Sequence, residues 1–296
     1  MPGVRRDPRY AVNATSLPHH TVAEAIRDVA ASGAEGLGLW ERKMAQGEDA
    51  RVADEMAEHG LTATFCVPST HTILPSQIDG PGAPQDPAER LDALCASVRR
   101  LAQFRPAAVL IAPGASGDPE HPAGPVDEVM RVLPVLADVA DECGVRIGVE
   151  LIARRRGGTI SSLPAMVDVL DAIGRDSLGI MFSVFHSWDE PDLHQHLRRY
   201  AGRINSVQVC DIRDPERSPF DRELPGRGRA VAPGIMATLL EAGYDGWWEL
   251  EIFSDDGTFG TALPGSYWAM PPKEFLGQAR EAFDRSYGLA STQPGG

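Results

Sequence analysis

The side chains best placed for chemistry in this 296-residue chain are polar groups at, or just past, the ends of short apolar runs. They are Asn13, Trp40 with Glu41, Ser69 with His71, Glu150, Ser183 with His186, Gln208 with Asp211, and Glu249 with Glu251. An ionised carboxylate facing an apolar interior is costly unless it is paired, protonated or bound to a cation. Two inward carboxylates on different strands, with His186 and Gln208 between them, would make a divalent-cation site. The same pair would also serve as acid and base on opposite faces of one substrate. Blander uses stay open: an ion pair to a loop arginine for Glu150 or Glu251, and a helix cap for His186. Glu249 and Glu251 are two positions apart, so strand alternation puts them on one face and does not choose between them. His194 and His196 read as solvated surface. Trp247, Trp248 and Trp40 read first as packing, although Trp40, at a strand end, would also make a platform for a sugar ring.

Those strand ends need a scaffold, and the sequence supplies one by alternating β-branched or apolar runs with segments of helical period. Strands are expected at 10–14, 35–40, 62–67, 107–111, 146–151, 178–182, 204–210 and 247–253. Helices are expected at 21–31, 49–59, 87–104, 126–143, 163–173, 193–200, 233–242 and 272–287, with Asp86 as the cap of the third. Glycine follows most of the helices (Gly33, Gly60, Gly144, Gly174, Gly202, Gly243), as expected where a chain leaves a helix through a left-handed residue. Eight such units point to a single α/β domain, a (β/α)8 TIM barrel over 1–296. An open doubly wound sheet would usually carry a glycine-rich phosphate turn after its first strand, and none is present. The long connections 68–87 and 211–231 both follow strand C-termini, where barrels build active sites, and read as active-site loops. Residues 1–8 and 291–296 are expected to be disordered.

Composition mainly excludes. A net charge of -14, from 28 basic and 42 acidic residues, argues against a nucleic-acid partner. No apolar run reaches the roughly 20 residues that span a bilayer. The two N-terminal arginines lead into no apolar stretch, so a secretory signal is not expected and the chain reads as cytoplasmic. Its four cysteines, Cys66, Cys95, Cys143 and Cys210, form no CxxC pair and are expected to be reduced thiols.

Five segments together resemble the xylose-isomerase-like barrels, a family of sugar phosphate isomerases and epimerases. They are GVELI at 148–152, FSVFH at 182–186, SVQVCD at 206–211, DRELPGRG at 221–228 and GYDGWWELEIFSD at 243–255. That family includes ketose 3-epimerases, hydroxypyruvate isomerases and inosose dehydratases. Carried over position by position, the resemblance puts its four metal ligands on Glu150, Ser183, Gln208 and Glu251. It favours Glu251 over Glu249, because the family's ligand lies five residues after the second glycine of GYDG. His186 matches a substrate-contacting histidine, and Arg222 the arginine of a loop that holds the lid or a polar substrate group. Two positions depart from the commonest pattern. Gln208 stands for a histidine, as in hydroxypyruvate isomerases, and Ser183 stands for an aspartate, so the site has one anion fewer to attract Mn2+ or Mg2+.

The resemblance implies carbohydrate metabolism, a small-molecule substrate and a homo-oligomer. The expected activity is an isomerase or epimerase acting through an enediolate with divalent-metal assistance. Glu150, Glu251 and His186 are its catalytic residues, and Trp40, His71, Arg222 and Asp211 contact the substrate. Ser183 motivates an alternative, a lyase, dehydratase or cyclase with a weakened metal site. A non-catalytic ligand-binding barrel is a third.

Overall fold

The computed structural model describes residues 7–76, 79, 82–116, 118–121 and 124–292. Nine parallel strands pair in the order β3-β2-β1-β11-β8-β7-β6-β5-β4. They are β1 (Arg9–Asn13), β2 (Gly36–Gly38), β3 (Thr62–Ala63), β4 (Phe65–Cys66), β5 (Ala108–Ile111), β6 (Ile147–Glu150), β7 (Leu178–Ser183), β8 (Ile204–Val209) and β11 (Trp247–Leu250). The first and last members of that order, β3 and β4, are one stretch of chain interrupted only at Thr64. Since β3 pairs with β2 and β4 with β5, the sheet closes on itself at eight positions, a TIM barrel as expected. Thr64 itself stays bonded, receiving Ala108 N at 3.2 Å and donating its own N–H to Leu37 O at 3.1 Å.

Most helices start and stop within a few residues of the expected bounds, although the last (Pro272–Thr292) runs past the expected end at 287. Thr21 and Glu24 form a reciprocal capping box on α1 (Val22–Ala31). Asp86 caps α3 (Pro87–Leu101) through the N–H groups of Ala88 and Glu89. Gly144 and Gly174 close α4 (Val126–Cys143) and α5 (Leu163–Ile173) in the left-handed conformation. The other long helices are α2 (Asp49–Glu58), α7 (Leu193–Tyr200), α8 (Ala232–Glu241) and α9 (Pro272–Thr292), and the single turn α6 (Val184–Ser187) lies between β7 and α7. Ser291 and Thr292, expected to be disordered, are instead the last residues of α9, and Asp7 and Pro8 are irregular; residues 1–6 and 293–296 lie outside the described residues. The loop after β8 contains a small antiparallel pair, β9 (Asp211–Ile212) with β10 (Arg222–Glu223).

Strand alternation sorts the core. Outward residues such as Val207, Trp248 and Leu250 pack under the helices in one large cluster. Inward, Ala11, Phe65, Ala108 and Trp247 fill the lower end, while Val67, Leu110 and Met181 pack near the top under the half-buried Trp40. Small residues make room for this filling. A Cβ on Gly38 would sit 2.6 Å from both Asn13 Nδ2 and Glu249 Oε2. The cysteines are free thiols; burial pushes Cys210 up to about 12, so it is no nucleophile. Among the described residues, no helix is long and apolar enough to cross a membrane.

Candidate active site

Six of the expected residues converge at the C-terminal end of the barrel: Glu150, Ser183, His186, Gln208, Arg222 and Glu251. Glu150 ends β6 and Ser183 ends β7, where it is registered opposite Gln208 of β8. Glu251 lies one residue past β11 and bonds its N–H to Val209 O of β8 at 3.2 Å. All four side chains are buried.

The carboxylates have different surroundings. Glu251 receives Arg222 Nη1 at 2.5 Å on Oε2 and Thr15 Oγ1 at 3.5 Å on Oε1. The Arg222 guanidinium is itself clamped between two rings, 4.4 Å from the centre of Phe185 and 4.6 Å from that of Phe253. Its charge is thus fixed on Glu251. Glu150 has no such partner: burial, reinforced by the nearby Glu251, pushes it up to about 8, with Arg222 and Ser183 pulling back only partly. His186 Nε2 lies 3.9 Å from Glu150 Oε1, beyond hydrogen-bonding distance. Ala153 donates its N–H to His186 Nδ1 at 3.4 Å, which leaves the ring proton on Nε2, toward Glu150. Burial first, and then Arg222, Arg155 and Arg156, hold the imidazole well below its usual range, so it is neutral.

Glu249 faces the same side one layer deeper, as alternation requires, and is a different kind of group. It is fully buried and accepts Asn13 Nδ2 at 2.6 Å, Phe65 N at 3.2 Å and a short bond from Thr64 Oγ1. Burial raises it to about 8 as well, against the pull of Thr64 and Asn13. It belongs to the barrel's filling.

Other expected contacts fall elsewhere. Asp211 accepts four backbone N–H groups, from Ile212, Gly226, Val231 and Ala232 at 2.9 to 3.1 Å, so both its oxygens are committed to the loop and the start of α8. His71 is buried in the loop after β4 with Nδ1 unpaired, and burial together with Arg42 pushes it down to about 4. Trp40 covers the upper apolar layer, with the Arg42 guanidinium 5.5 Å from its ring centre. Glu41, another strand-end carboxylate, is taken up by Ser69 N, Ser97 Oγ and Arg100. Sequence reasoning passed over Phe185 and Phe253, because ring clamps on an arginine have no spacing rule.

No three His, Cys, Asp or Glu side chains come together as a metal site among the described residues. The donor set is instead two carboxylates with neutral oxygens. Gln208 is 1% exposed, and neither its Oε1 nor its Nε2 has a hydrogen-bond partner among the described residues. Ser183 Oγ is also buried without a bond of good geometry, although its effect reaches Glu150. Orphaned buried oxygens beside two carboxylates fit a hard divalent cation, which prefers oxygen ligands.

The family model for the xylose isomerase-like TIM barrel matches residues 26–285, and the chain belongs to that family. It is 25% identical over 157 residues to an inosose isomerase of Bacillus velezensis (strain DSM 23117 / BGSC 10A6 / LMG 26770 / FZB42), covering 51% of each chain. It is 30% identical over 131 residues to a putative hydroxypyruvate isomerase of Streptomyces coelicolor (strain ATCC BAA-471 / A3(2) / M145), covering 42% of this chain and 44% of that one. The chain thus spans about half the length of these curated relatives. A solved structure of IOLI protein with a bound zinc atom superimposes with a TM-score of 0.79 at 14% identity, over 96% of this chain and 100% of that one, a likeness of fold.

Proposed function

We propose that this barrel is an isomerase or epimerase of a hydroxy-carbonyl compound, moving a proton through an enediolate at the barrel mouth. The observation that carries the proposal is the inequality of the two carboxyls. Glu251 is locked to Arg222 by a 2.5 Å ion pair, whereas Glu150 is pushed up to about 8, the range in which a carboxyl exchanges protons near neutrality. Glu150, free of an ion pair with Arg222 and ionised in part near neutrality, is the group assigned to take a proton from the carbon beside the carbonyl. Glu251, ion-paired with Arg222, faces the substrate from the end of β11 and serves the opposite side. Neutral His186, with its proton on Nε2, donates to a substrate oxygen. The buried amide of Gln208 and the hydroxyl of Ser183 supply further polar contacts. Return of the proton to the other face gives an epimer, and return to the neighbouring carbon an isomer.

Glu150, Ser183, Gln208 and Glu251 would hold a divalent cation, Mn2+ or Mg2+, which when bound supplies Lewis-acid stabilisation of the developing oxyanion. The loops 68–87 and 211–231 would wall the substrate, the second through Arg222. The names of both relatives, inosose isomerase and putative hydroxypyruvate isomerase, are consistent with this chemistry.

The test is initial-rate kinetics on inososes, ketoses and hydroxypyruvate. Removing a positioned proton-transfer group costs on the order of 100- to 10,000-fold in rate, so Glu150→Gln should lose that much on whichever compound turns over. Full turnover by Glu150→Gln would sink the mechanism.

A further inference from the structure

Arg155 and Arg156, directly after β6, are not spent by the mechanism above. Their guanidinium carbons lie 5.4 and 5.5 Å from the centre of the Phe185 ring, and Arg222 packs on the same ring at 4.4 Å. Three cations thus surround the residue immediately before His186. Arg155 bonds Asp189 through Nη1 at 2.6 Å and the Phe185 carbonyl through Nη2 at 2.5 Å. Arg156 bonds Glu216 through Nη2 at 2.6 Å. In each of the three arginines, Nε is buried and has no hydrogen-bond partner among the described residues. A buried N–H left without an acceptor is costly, and more so on a charged group, so three in one cluster call for an acceptor. The side chains of Arg155 and Arg156 are 24% and 21% exposed, which places them at the rim of the site, where a ligand can enter.

We infer that the substrate carries a carboxylate, and that Arg155 and Arg156 hold it beside the reacting carbons. This rests on the isomerase reading and narrows it from hydroxy-carbonyl compounds in general to hydroxy-oxo acids. Asp189, Glu216 and Glu251 already balance the three guanidinium charges, so what the cluster lacks is acceptors more than negative charge. Two free N–H donors on adjacent arginines match the two oxygens of a monoanion, whereas a phosphate dianion would need uncompensated positive charge.

Hydroxypyruvate and 1,3-dihydroxyacetone differ only in carrying a carboxylate or a hydroxymethyl group on the same ketone. Calorimetric titration of the full-length protein should give at least about tenfold tighter binding of hydroxypyruvate, the worth of one charge-assisted bond. Arg156→Gln should remove that preference without weakening dihydroxyacetone, and Arg156→Lys should keep part of it. Glu216→Gln, which frees Arg156 from its loop partner, should leave hydroxypyruvate binding intact or tighter. Equal affinities for the two ketones in the wild type would overturn the inference. So would equal weakening of both by Arg156→Gln, or a loss in Glu216→Gln matching that in Arg156→Gln, since Arg156 would then be only a loop anchor. The two readings fail separately. Arg156-dependent binding of hydroxypyruvate without exchange of its carbon-bound protons in deuterated water refutes the isomerase and keeps the carboxylate site. Proton exchange on dihydroxyacetone with no preference for the acid does the reverse.

Discussion

Replacing Glu249 with glutamine should make the protein less stable in acid and more stable in alkali than the wild type. The carboxyl is fully buried and raised to about 8 in the folded state, from a reference value of 4.5. Between those two values the unfolded chain has released the proton and the folded chain still holds it. Stability therefore falls as pH rises from about 4.5 to about 8, and is flat outside that window. At 1.36 kcal/mol for each pH unit, the loss has an upper bound of about 5 kcal/mol. Glutamine does not titrate, so its curve lacks this slope. Its amide can accept from Asn13 Nδ2 and donate to Thr64 Oγ1, but the Phe65 N–H then loses its acceptor, a cost of about 1–3 kcal/mol at every pH. Glu150 contributes a slope of the same sign in both proteins and cancels in the comparison. Urea unfolding in the presence of a chelator, near pH 5 and near pH 8, gives the difference directly. A sign change of several kcal/mol is expected. Parallel curves, separated by a constant amount, would refute a protonated Glu249.

Two further changes test how the site is built. Gly38→Ala should cost roughly 1–3 kcal/mol or more, since its Cβ would meet Asn13 and Glu249 at 2.6 Å inside a packed barrel; a melting temperature within a degree or so of the wild type would contradict the packing. Asp211→Asn should loosen the loop that carries Arg222, because an amide nitrogen replaces an oxygen that accepts two backbone N–H groups. Faster proteolysis within 213–221 and a loss of about 1–3 kcal/mol are expected, and unchanged cleavage would show that the carboxylate does not hold the loop.

Much of this arrangement was legible in the sequence because barrel strands announce themselves locally. Apolar runs and glycine stops marked the eight strand positions, and the cost of burying a lone carboxylate pointed to Glu150 and Glu251 as an inward pair. What escaped depends on partners far away in the chain. The break at Thr64 lies where its hydroxyl bonds Glu249, 185 residues on. The β9–β10 pair has only two residues in each strand, too few for a periodic signal. Alternation put Glu249 and Glu251 on one face, but only the closed barrel shows one as filling and the other at the mouth. Asp211 looked like a site residue because it is acidic and follows a strand, yet its oxygens cap backbone N–H groups, a use the sequence does not distinguish. Arg154–Arg156 form a basic run in the sequence, but the convergence of Arg155 and Arg156 on Phe185 depends on β6 and β7 being neighbours.

The central claim, that Glu150 moves a carbon-bound proton at the mouth of this barrel, is tested most directly by solvent exchange. Inososes and hydroxypyruvate incubated with the enzyme in deuterated water should take up deuterium at the carbon beside the carbonyl, followed by NMR. With Glu150→Gln the uptake should slow by at least about 100-fold. Turnover that leaves the substrate hydrogen in place, or undiminished uptake with Glu150→Gln, would contradict the account.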